Sequence, residues 1–126
     1  RATRLRVYTI SVEGGFRATH HVRLPGGSIE EPHPHNWKVR VYVSRPRLDE
    51  IGMVADFEAV RGMLVAVLHP LEHTNLNTYA PLAGSNPTAE VVARFVFDRL
   101  VERGVTDLRR GEVTEAPGCV ASYELA

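Results

Sequence analysis

The sequence is poor in cysteine, in long apolar runs and in net charge, and each shortage excludes a class of protein. Its single cysteine cannot form a disulfide within the chain, so a reducing cytoplasm is the expected location. No apolar stretch approaches the roughly 18 residues of a membrane-spanning helix, so no membrane partner is expected. Lysine plus arginine number 15, as do aspartate plus glutamate. The resulting zero net charge gives no argument for a nucleic-acid partner.

The composition is that of a folded domain. The chain has 126 residues, of which 44% are hydrophobic and 24% are charged, as in globular proteins rather than disordered ones. This length suits one domain with a modest core. We therefore expect a single domain that spans residues 1–126.

Alternating apolar and polar residues predict strands in the first half of the chain. Residues 4–12 and 16–22 alternate in this way, and the glycine pair between them predicts a turn that joins two strands. Residues 36–43 give the clearest strand pattern, and residues 52–57 indicate a short additional strand. One face of the 36–43 strand carries Trp37, Val39, Val41 and Val43.

Two helices are predicted next. Apolar residues recur at helical spacing from Phe57 until Pro70, which marks the end of the first helix. The second helix is predicted to begin with Asn86 as its N-cap and Pro87 as its first residue, and to stop at Gly104. The buried stripes would be Val60, Leu64, Val67, Leu68 and Leu71 on the first helix, and Ala89, Val92, Val96 and Leu100 on the second.

The tail of the chain, "GEVTEAPGCVASYEL", predicts two strands around a Pro-Gly turn. An order of strands, two helices and strands indicates an α+β domain with its helices on one face of an antiparallel sheet. Long edge strands in such a sheet need cover, which association of subunits would supply. Cys119, in this tail, is interpreted as a buried and inert thiol.

Histidines are concentrated near two of the predicted strand ends. His33 and His35 are separated by Pro34, which fits the first residue of a strand or an edge. Residues two apart on a strand share a face, so both imidazoles can meet one ion. His20, on the preceding strand, can add a third nitrogen if the strands pair, which leaves one coordination position open as in catalytic zinc sites. The alternative is ordinary core or solvated histidines, and His21 is expected to face water.

Six segments of the chain, in order, carry a family resemblance. They are "FRATHH", "HPHNWKV", "GMVADF", "LEHTNLN", "NPTAE" and "VTEAPGCVASYEL", and together they resemble the 6-pyruvoyl-tetrahydropterin synthase and 6-carboxy-tetrahydropterin synthase family. The resemblance implies the tunnelling fold, an α+β domain whose four-stranded antiparallel sheet follows a ββααββ order with both helices on one face. It also implies that subunits assemble into barrels, usually as a homo-hexamer, and that each pocket is built from more than one subunit.

The resemblance further implies a cofactor, a substrate and binding residues. Zinc would be the cofactor, and a dihydroneopterin-type pterin would be the small-molecule partner. Glu115 corresponds to the glutamate that binds the pterin ring nitrogens, although an ordinary exposed strand glutamate is the alternative. Thr88 and Glu90 would border the pterin pocket, unless they only cap the second helix. The zinc ligands would be His20, His33 and His35.

Two departures from the family concern the catalytic residues. His73 corresponds to the family's catalytic histidine, and Glu72 replaces its aspartate partner; the alternative is that His73 only complements a helix dipole. Most members carry a cysteine shortly before the H-x-H pair, and the loop "RLPGGSIEEPHPH" has none. Glu30 lies three residues before His33, as in a subgroup associated with cleavage of the dihydroneopterin side chain to 6-hydroxymethyl-dihydropterin. Glu31 is interpreted as a solvated loop residue.

The first interpretation is therefore a zinc-dependent lyase that acts on the side chain of a 7,8-dihydroneopterin-type substrate, with Glu30 as base. Synthesis of a 6-carboxy- or 6-pyruvoyl-tetrahydropterin with another base is an alternative within the enzyme class. A homologue that binds a pterin or purine without turnover is an alternative from another class, because two catalytic positions have changed. The phosphate state of the substrate stays open, since scattered cations are also typical of a solvated face: Arg17, Arg23, Lys38 and Arg40.

Overall fold

The computed structural model describes residues 4–126, so the first three residues of the predicted domain lie outside the described range. Two short 3₁₀ turns, His69–Leu71 and Ala80–Leu82, flank a small strand at Thr74–Asn75. None of the helices in the described range is both long and apolar enough to cross a membrane. In chain order the elements are β1 (Tyr8–His20), β2 (His33–Arg45), α1 (Phe57–Leu68), β3 (Thr74–Asn75), α2 (Ala89–Glu102), β4 (Leu108–Ala116) and β5 (Cys119–Glu124).

The strands form one sheet in the order β3-β1-β2-β4-β5. The α+β class is confirmed, but the predicted four-stranded antiparallel sheet is wrong, because β3 adds a fifth strand parallel to β1. β3 also interrupts the predicted ββααββ order. It forms because the chain after α1 returns along the free edge of β1, where the His73 amide donates to the Arg17 carbonyl at 2.7 Å and the Leu76 amide donates to the Thr19 carbonyl at 2.9 Å.

The glycine pair does not make a turn, so the predicted hairpin within the first 22 residues is wrong. β1 runs through both glycines and pairs with β2 from Tyr8 opposite Arg45 to His20 opposite His33. A Cβ on Gly14 would lie 3.0 Å from a Leu68 methyl carbon of α1, and a Cβ on Gly15 would lie 2.8 Å from the Trp37 carbonyl oxygen. Both glycines therefore permit a close approach of neighbouring chain rather than a reversal.

Both helices cover the same face of the sheet. Gly14 is opposite Val39, and Val39 is in turn opposite Val113, so these positions share a face with Gly111, two residues from Val113. Gly14 lies against α1, and Gly111 lies against Phe97 of α2. The large side chains buried between the sheet and the helices include Trp37, Val39, Val41, Leu64, Leu71, Leu76, Val92, Val96, Leu100 and Val113.

Local contacts remove one predicted strand and move the start of α2, whereas the predicted end of α2 at Gly104 is confirmed. Residues 52–57 form no strand, because the Asp49 carboxylate accepts from two amides of a turn and Asp56 is already the N-cap of α1. Thr88, not Asn86, is the N-cap of α2, and its hydroxyl accepts from the Val91 amide at 3.2 Å. Gly104 follows α2 with a φ of 94°, which is the left-handed conformation expected of a residue that ends a helix.

Candidate metal and pterin site

Three histidines meet at one end of the sheet. His20 ends β1 and His33 begins β2, and the two are direct cross-strand partners, while His35 lies opposite Ala18. Their positions are in phase with Trp37 and the buried valines of β2, so all three lie on the helix-covered face. One ring nitrogen from each histidine lies within 4.8 Å of the others. Strand pairing thus brings together the three residues that strand phase and the resemblance predicted to be ligands.

Backbone carbonyls fix the orientation of two of these rings. His20 Nδ1 lies 2.8 Å from the Pro87 carbonyl oxygen, and His33 Nδ1 lies 2.9 Å from the Glu31 carbonyl oxygen. A carbonyl oxygen only accepts, so each Nδ1 carries a proton and each neutral ring keeps a lone pair on Nε2. This arrangement of a donating Nδ1 and a free Nε2 is typical of metal-binding histidines.

Two of the three Nε2 atoms, those of His20 and His35, are buried and lack hydrogen-bond partners within residues 4–126. His20 is 1% exposed, and within the described residues neither its Nε2 nor that of His35 makes a hydrogen bond. Glu115 Oε1 lies 3.1 Å from His20 Nε2 but outside hydrogen-bond geometry. Burial lowers the pKa of His35, against the opposing effect of the Glu115 carboxylate, and so favours the neutral form that binds metal. A buried nitrogen without a hydrogen-bond partner lowers the stability of the fold. Binding of a zinc ion would give these nitrogens a partner, since histidine nitrogens are common zinc ligands.

Two carboxylates stand beside the histidines. Glu115 Oε2 lies 4.0 Å from His35 Nε2, and Glu30 Oε1 lies 3.9 Å from His33 Nε2. Glu30 Oε1 also accepts from the Val22 amide at 3.0 Å. Glu31 contributes only its carbonyl to the site, and its exposed side chain agrees with the prediction of a solvated residue.

A cavity of about 430 Å³ adjoins this cluster. Glu115, Thr88 and Glu90 all line it, so the structure brings the three predicted pterin-binding residues to one space. Cys119 also lines the cavity and is exposed, so the prediction of a buried thiol is wrong. Cys119 is the first residue of the edge strand β5, where it borders the cavity. A second space of similar size, lined by Arg17, His35 and Lys38 among others, also reaches Glu115.

His73 and Glu72 form a pair that stands apart from the histidine cluster. His73 Nε2 lies 3.5 Å from Glu72 Oε1, and the same oxygen accepts from the Arg17 amide at 3.2 Å. The His73 side chain is 77% exposed. No hydrogen bond or ion pair within residues 4–126 connects His73 to the cluster, so its predicted catalytic role stays a prediction.

Three polar residues next to the site were missed or misread from the sequence. His21 is partly buried rather than directed to water, and its ring nitrogen Nε2 lies 3.3 Å from Asn77 Nδ2. Asn77 was not singled out, and Asn86 was interpreted as a helix cap. Both asparagines instead hydrogen-bond the backbone just after His20. The only available signal was their position at the ends of two quoted segments, "LEHTNLN" and "NPTAE".

Comparison with known proteins agrees with this geometry. Residues 9–126 match the family described as 6-pyruvoyl tetrahydropterin synthase. A 6-carboxy-5,6,7,8-tetrahydropterin synthase from Synechocystis sp. is 34% identical over 122 residues, which cover 93% of each chain. The structure of Caenorhabditis elegans 6-pyruvoyl tetrahydropterin synthase superposes with a TM-score of 0.82 at 21% identity, covering 99% of this chain and 100% of that one.

A structure of the Plasmodium vivax 6-pyruvoyltetrahydropterin synthase superposes with a TM-score of 0.76 at 14% identity, covering 94% of this chain and 97% of that one. In that structure a glutamate described as a catalytic residue is replaced by alanine. Sequence match, fold and the three-histidine cluster thus agree, and the chain belongs to the 6-pyruvoyl tetrahydropterin synthase family.

Proposed function

We propose that this protein is a zinc-dependent lyase that cleaves the side chain of a 7,8-dihydroneopterin-type substrate to give 6-hydroxymethyl-7,8-dihydropterin. The observation that carries this proposal is the Glu30 carboxylate, 3.9 Å from a ring nitrogen of the three-histidine cluster. A base in reach of a metal-held substrate is what proton removal requires. The loop that supplies it contains no cysteine.

Each part of the site has a task in this proposal. His20, His33 and His35 hold zinc, which supplies Lewis-acid polarisation of the substrate's side-chain hydroxyls. Glu115 accepts two N–H bonds from the planar pterin ring, a charge-assisted and bidentate fit. Thr88 and Glu90 border the ring in the cavity of about 430 Å³.

Cleavage breaks the bond between the first and second carbons of the side chain. The hydroxyl on the second carbon loses its proton to Glu30, and that carbon leaves as an aldehyde. The first carbon gains a proton and remains on the ring as the hydroxymethyl group. The step is balanced by proton transfer alone, so it needs neither oxidant nor reductant. His73 and Glu72 are proposed as a further acid–base pair in the same reaction.

Two facts support a glutamate as the base. Cys119, the chain's only cysteine, lies on β5 beside the pterin cavity rather than in the loop before His33. In the Plasmodium vivax relative a glutamate is described as a catalytic residue, so a carboxylate has a precedent within this fold.

A second candidate is synthesis of 6-carboxy-tetrahydropterin. The relative from Synechocystis carries that name and shares 34% of its residues over nearly the whole chain. The same metal and pterin residues would serve this reaction, so the product is what separates the two. Binding of a pterin or purine without turnover is the remaining alternative.

We also propose a homo-hexamer in the cytoplasm. β5 is one edge of the sheet, and within the described chain its outer side has no strand partner. It carries Val120 at 54% exposure, and edge strands of this kind are covered by pairing in stable proteins. A closed ring of copies would cover each such edge.

Product analysis tests the proposed function. Zinc-loaded protein is incubated with 7,8-dihydroneopterin triphosphate and, separately, with 7,8-dihydroneopterin, and the products are identified by mass spectrometry. We expect 6-hydroxymethyl-7,8-dihydropterin from at least one of them. A 6-carboxy or 6-pyruvoyl product would reject side-chain cleavage in favour of tetrahydropterin synthesis. Tight pterin binding with no product would favour the alternative of a protein that binds a pterin without turnover.

A further inference from the structure

Three consecutive residues that follow His20 are each held through both backbone groups. The His21 amide donates to Asn77 Oδ1 at 2.9 Å, and Asn77 Nδ2 donates back to the His21 carbonyl at 2.9 Å. Asn86 makes the same pair of bonds with Arg23: its Oδ1 accepts from the Arg23 amide at 2.8 Å, and its Nδ2 donates to the Arg23 carbonyl at 3.2 Å. Each asparagine side chain thus makes the two bonds that a neighbouring strand would make.

The residue between them is held from the opposite side by Glu30. The Val22 amide donates to Glu30 Oε1 at 3.0 Å, and the Glu30 amide donates to the Val22 carbonyl at 3.0 Å. This alternation is that of a strand, in which successive residues direct their backbone groups to opposite edges. Residues 21–23 therefore continue β1 beyond His20, with asparagine side chains in place of a neighbouring strand on one edge and the returning residues 28–30 on the other. We name residues 21–23 the connecting segment.

The connecting segment determines where the Glu30 carboxylate lies. Glu30 Oε1 bonds the Val22 amide and also lies 3.9 Å from His33 Nε2, so a rotation of the segment would move or free this oxygen. Without the asparagines the segment would be held along one edge only, at Val22 and at Leu24, whose amide donates to the Ser28 carbonyl at 2.8 Å. The two asparagines, which come from separate loops on either side of the Ala80–Leu82 turn, oppose that rotation at both ends.

We propose that Asn77 and Asn86 are positioning residues that orient the connecting segment and thereby hold the Glu30 carboxylate beside the metal ligand His33. This rests on the proposed role of Glu30 as base. Misplacement of a reacting group by about 1 Å can cost about a hundredfold in rate. Asn77 and Asn86 act on catalysis through Glu30 and have no contact with substrate in this proposal.

Amide hydrogen exchange tests the mechanical part without any activity measurement. Asn77→Ala and Asn86→Ala should each raise exchange at the Val22 amide, which neither side chain touches, by about tenfold or more. Thr78→Ala and Ser85→Ala are matched controls, because each lies one residue away and bonds only its own loop. Protected amides of α2 report whether each variant is folded.

A rise confined to the directly bonded amide, at His21 or Arg23, with Val22 unchanged would overturn the proposal. Should an alanine variant not fold, Asn77→Asp and Asn86→Asp serve instead. They keep the acceptor oxygen and lose the donor, so we expect a smaller rise at Val22, and no rise would again count against the proposal.

A double-mutant cycle with Glu30 tests the catalytic part. Asn86→Ala alone should lower kcat about tenfold to a hundredfold with KM nearly unchanged, and added to Glu30→Ala it should cost little more, because residues that act through one group are not additive. Equal losses in both backgrounds would show a general structural role and overturn the proposal. An unchanged kcat in Glu30→Ala would instead reject Glu30 as base, while the exchange result would still decide whether the asparagines orient the segment.

Discussion

Glu30 and His73 are both predicted acid–base residues, and the fold treats them very differently. The Glu30 carboxylate bonds a backbone amide and lies 3.9 Å from the histidine cluster. His73 is 77% exposed, and its ring is 3.5 Å from Glu72. A positioned group retains one geometry for reaction, whereas an exposed group must be brought into place. Within one chain, Glu30 therefore has the contacts that hold it beside the histidine cluster, whereas His73 does not.

This difference in contacts follows from where each residue lies relative to the strands. Glu30 lies in the loop between β1 and β2, and the pairing of His20 with His33 returns that loop to the histidine cluster. His73 precedes β3 and is joined by its backbone to Arg17, three residues before His20 in β1. A rise of about 3.3 Å per residue separates it from the cluster along the strand. The experiments below test how far this contrast holds.

The largest effect is expected from loss of a histidine ligand. His33→Ala should bind zinc far more weakly than wild type and form no product, because even residues that only support metal ligands are worth about tenfold to a hundredfold in affinity. Metal analysis after dialysis measures the change, with one ion per wild-type chain expected. His69→Ala is the matched control, since this exposed histidine lies in the turn after α1. Wild-type protein that takes up no zinc would reject the site, and with it any metal-linked role for Glu30.

Removal of the proposed base should give the next largest effect. We expect Glu30→Ala to lower product formation by about a hundredfold to ten-thousandfold, the usual contribution of a positioned general base. Zinc content and pterin binding should change little. Glu31→Ala keeps the carbonyl that bonds His33 and should retain nearly full activity. If Glu30→Ala turned over like wild type, the base would have to be sought elsewhere, with His73 the first residue to test.

Glu30 and His73 were both predicted from the family resemblance, whereas the strands, the helices and the shared face of two histidines were predicted from local pattern. Strand alternation depends on local pattern, so the shared face of His33 and His35 followed from spacing alone. The glycine pair in β1 has a turn's composition, yet its cause is the approach of Leu68 and the Trp37 carbonyl, both distant in sequence. The backbone bonds of Asn77 and Asn86 likewise depend on a tertiary contact. Local patterns therefore predicted the ligands and helices but neither the fifth strand nor the support of Glu30.

Pterin binding should depend on a carboxylate that is independent of both bases. Glu115→Gln keeps the side-chain shape but replaces an acceptor with a donor, and such a mismatch costs roughly 1–3 kcal/mol, or about tenfold to a hundredfold in affinity. Titration with biopterin measures the loss. Glu124→Gln on β5 is the control, because that glutamate lies beside Arg110. Unchanged affinity in Glu115→Gln would remove Glu115 from the pterin site and leave its contacts with His20 and His35 as its role.

The smallest effect is expected from His73, and it depends on assembly. Since His73 is exposed, and since the family resemblance implies pockets built from more than one subunit, we expect His73 and Glu72 to serve the cluster of a neighbouring copy. His73→Ala should lower kcat by about a hundredfold or less, the lower end for an acid–base group, and light scattering should show a closed oligomer.

Mixing tests this sharing directly. When Glu30→Ala and His73→Ala chains are unfolded, mixed in equal amounts and refolded together, about a quarter of the pockets should combine an intact Glu30 with an intact His73 of another copy, because copies associate at random in a symmetric ring. Activity should then exceed that of either variant refolded alone. Glu30→Ala mixed with Glu30→Ala/His73→Ala is the control and should recover nothing. A fully active monomer, or a mixed oligomer without recovery, would reject sharing of His73 between copies. An unchanged kcat in His73→Ala would place His73 outside the reaction and leave Glu30 as the acid–base residue of the pocket.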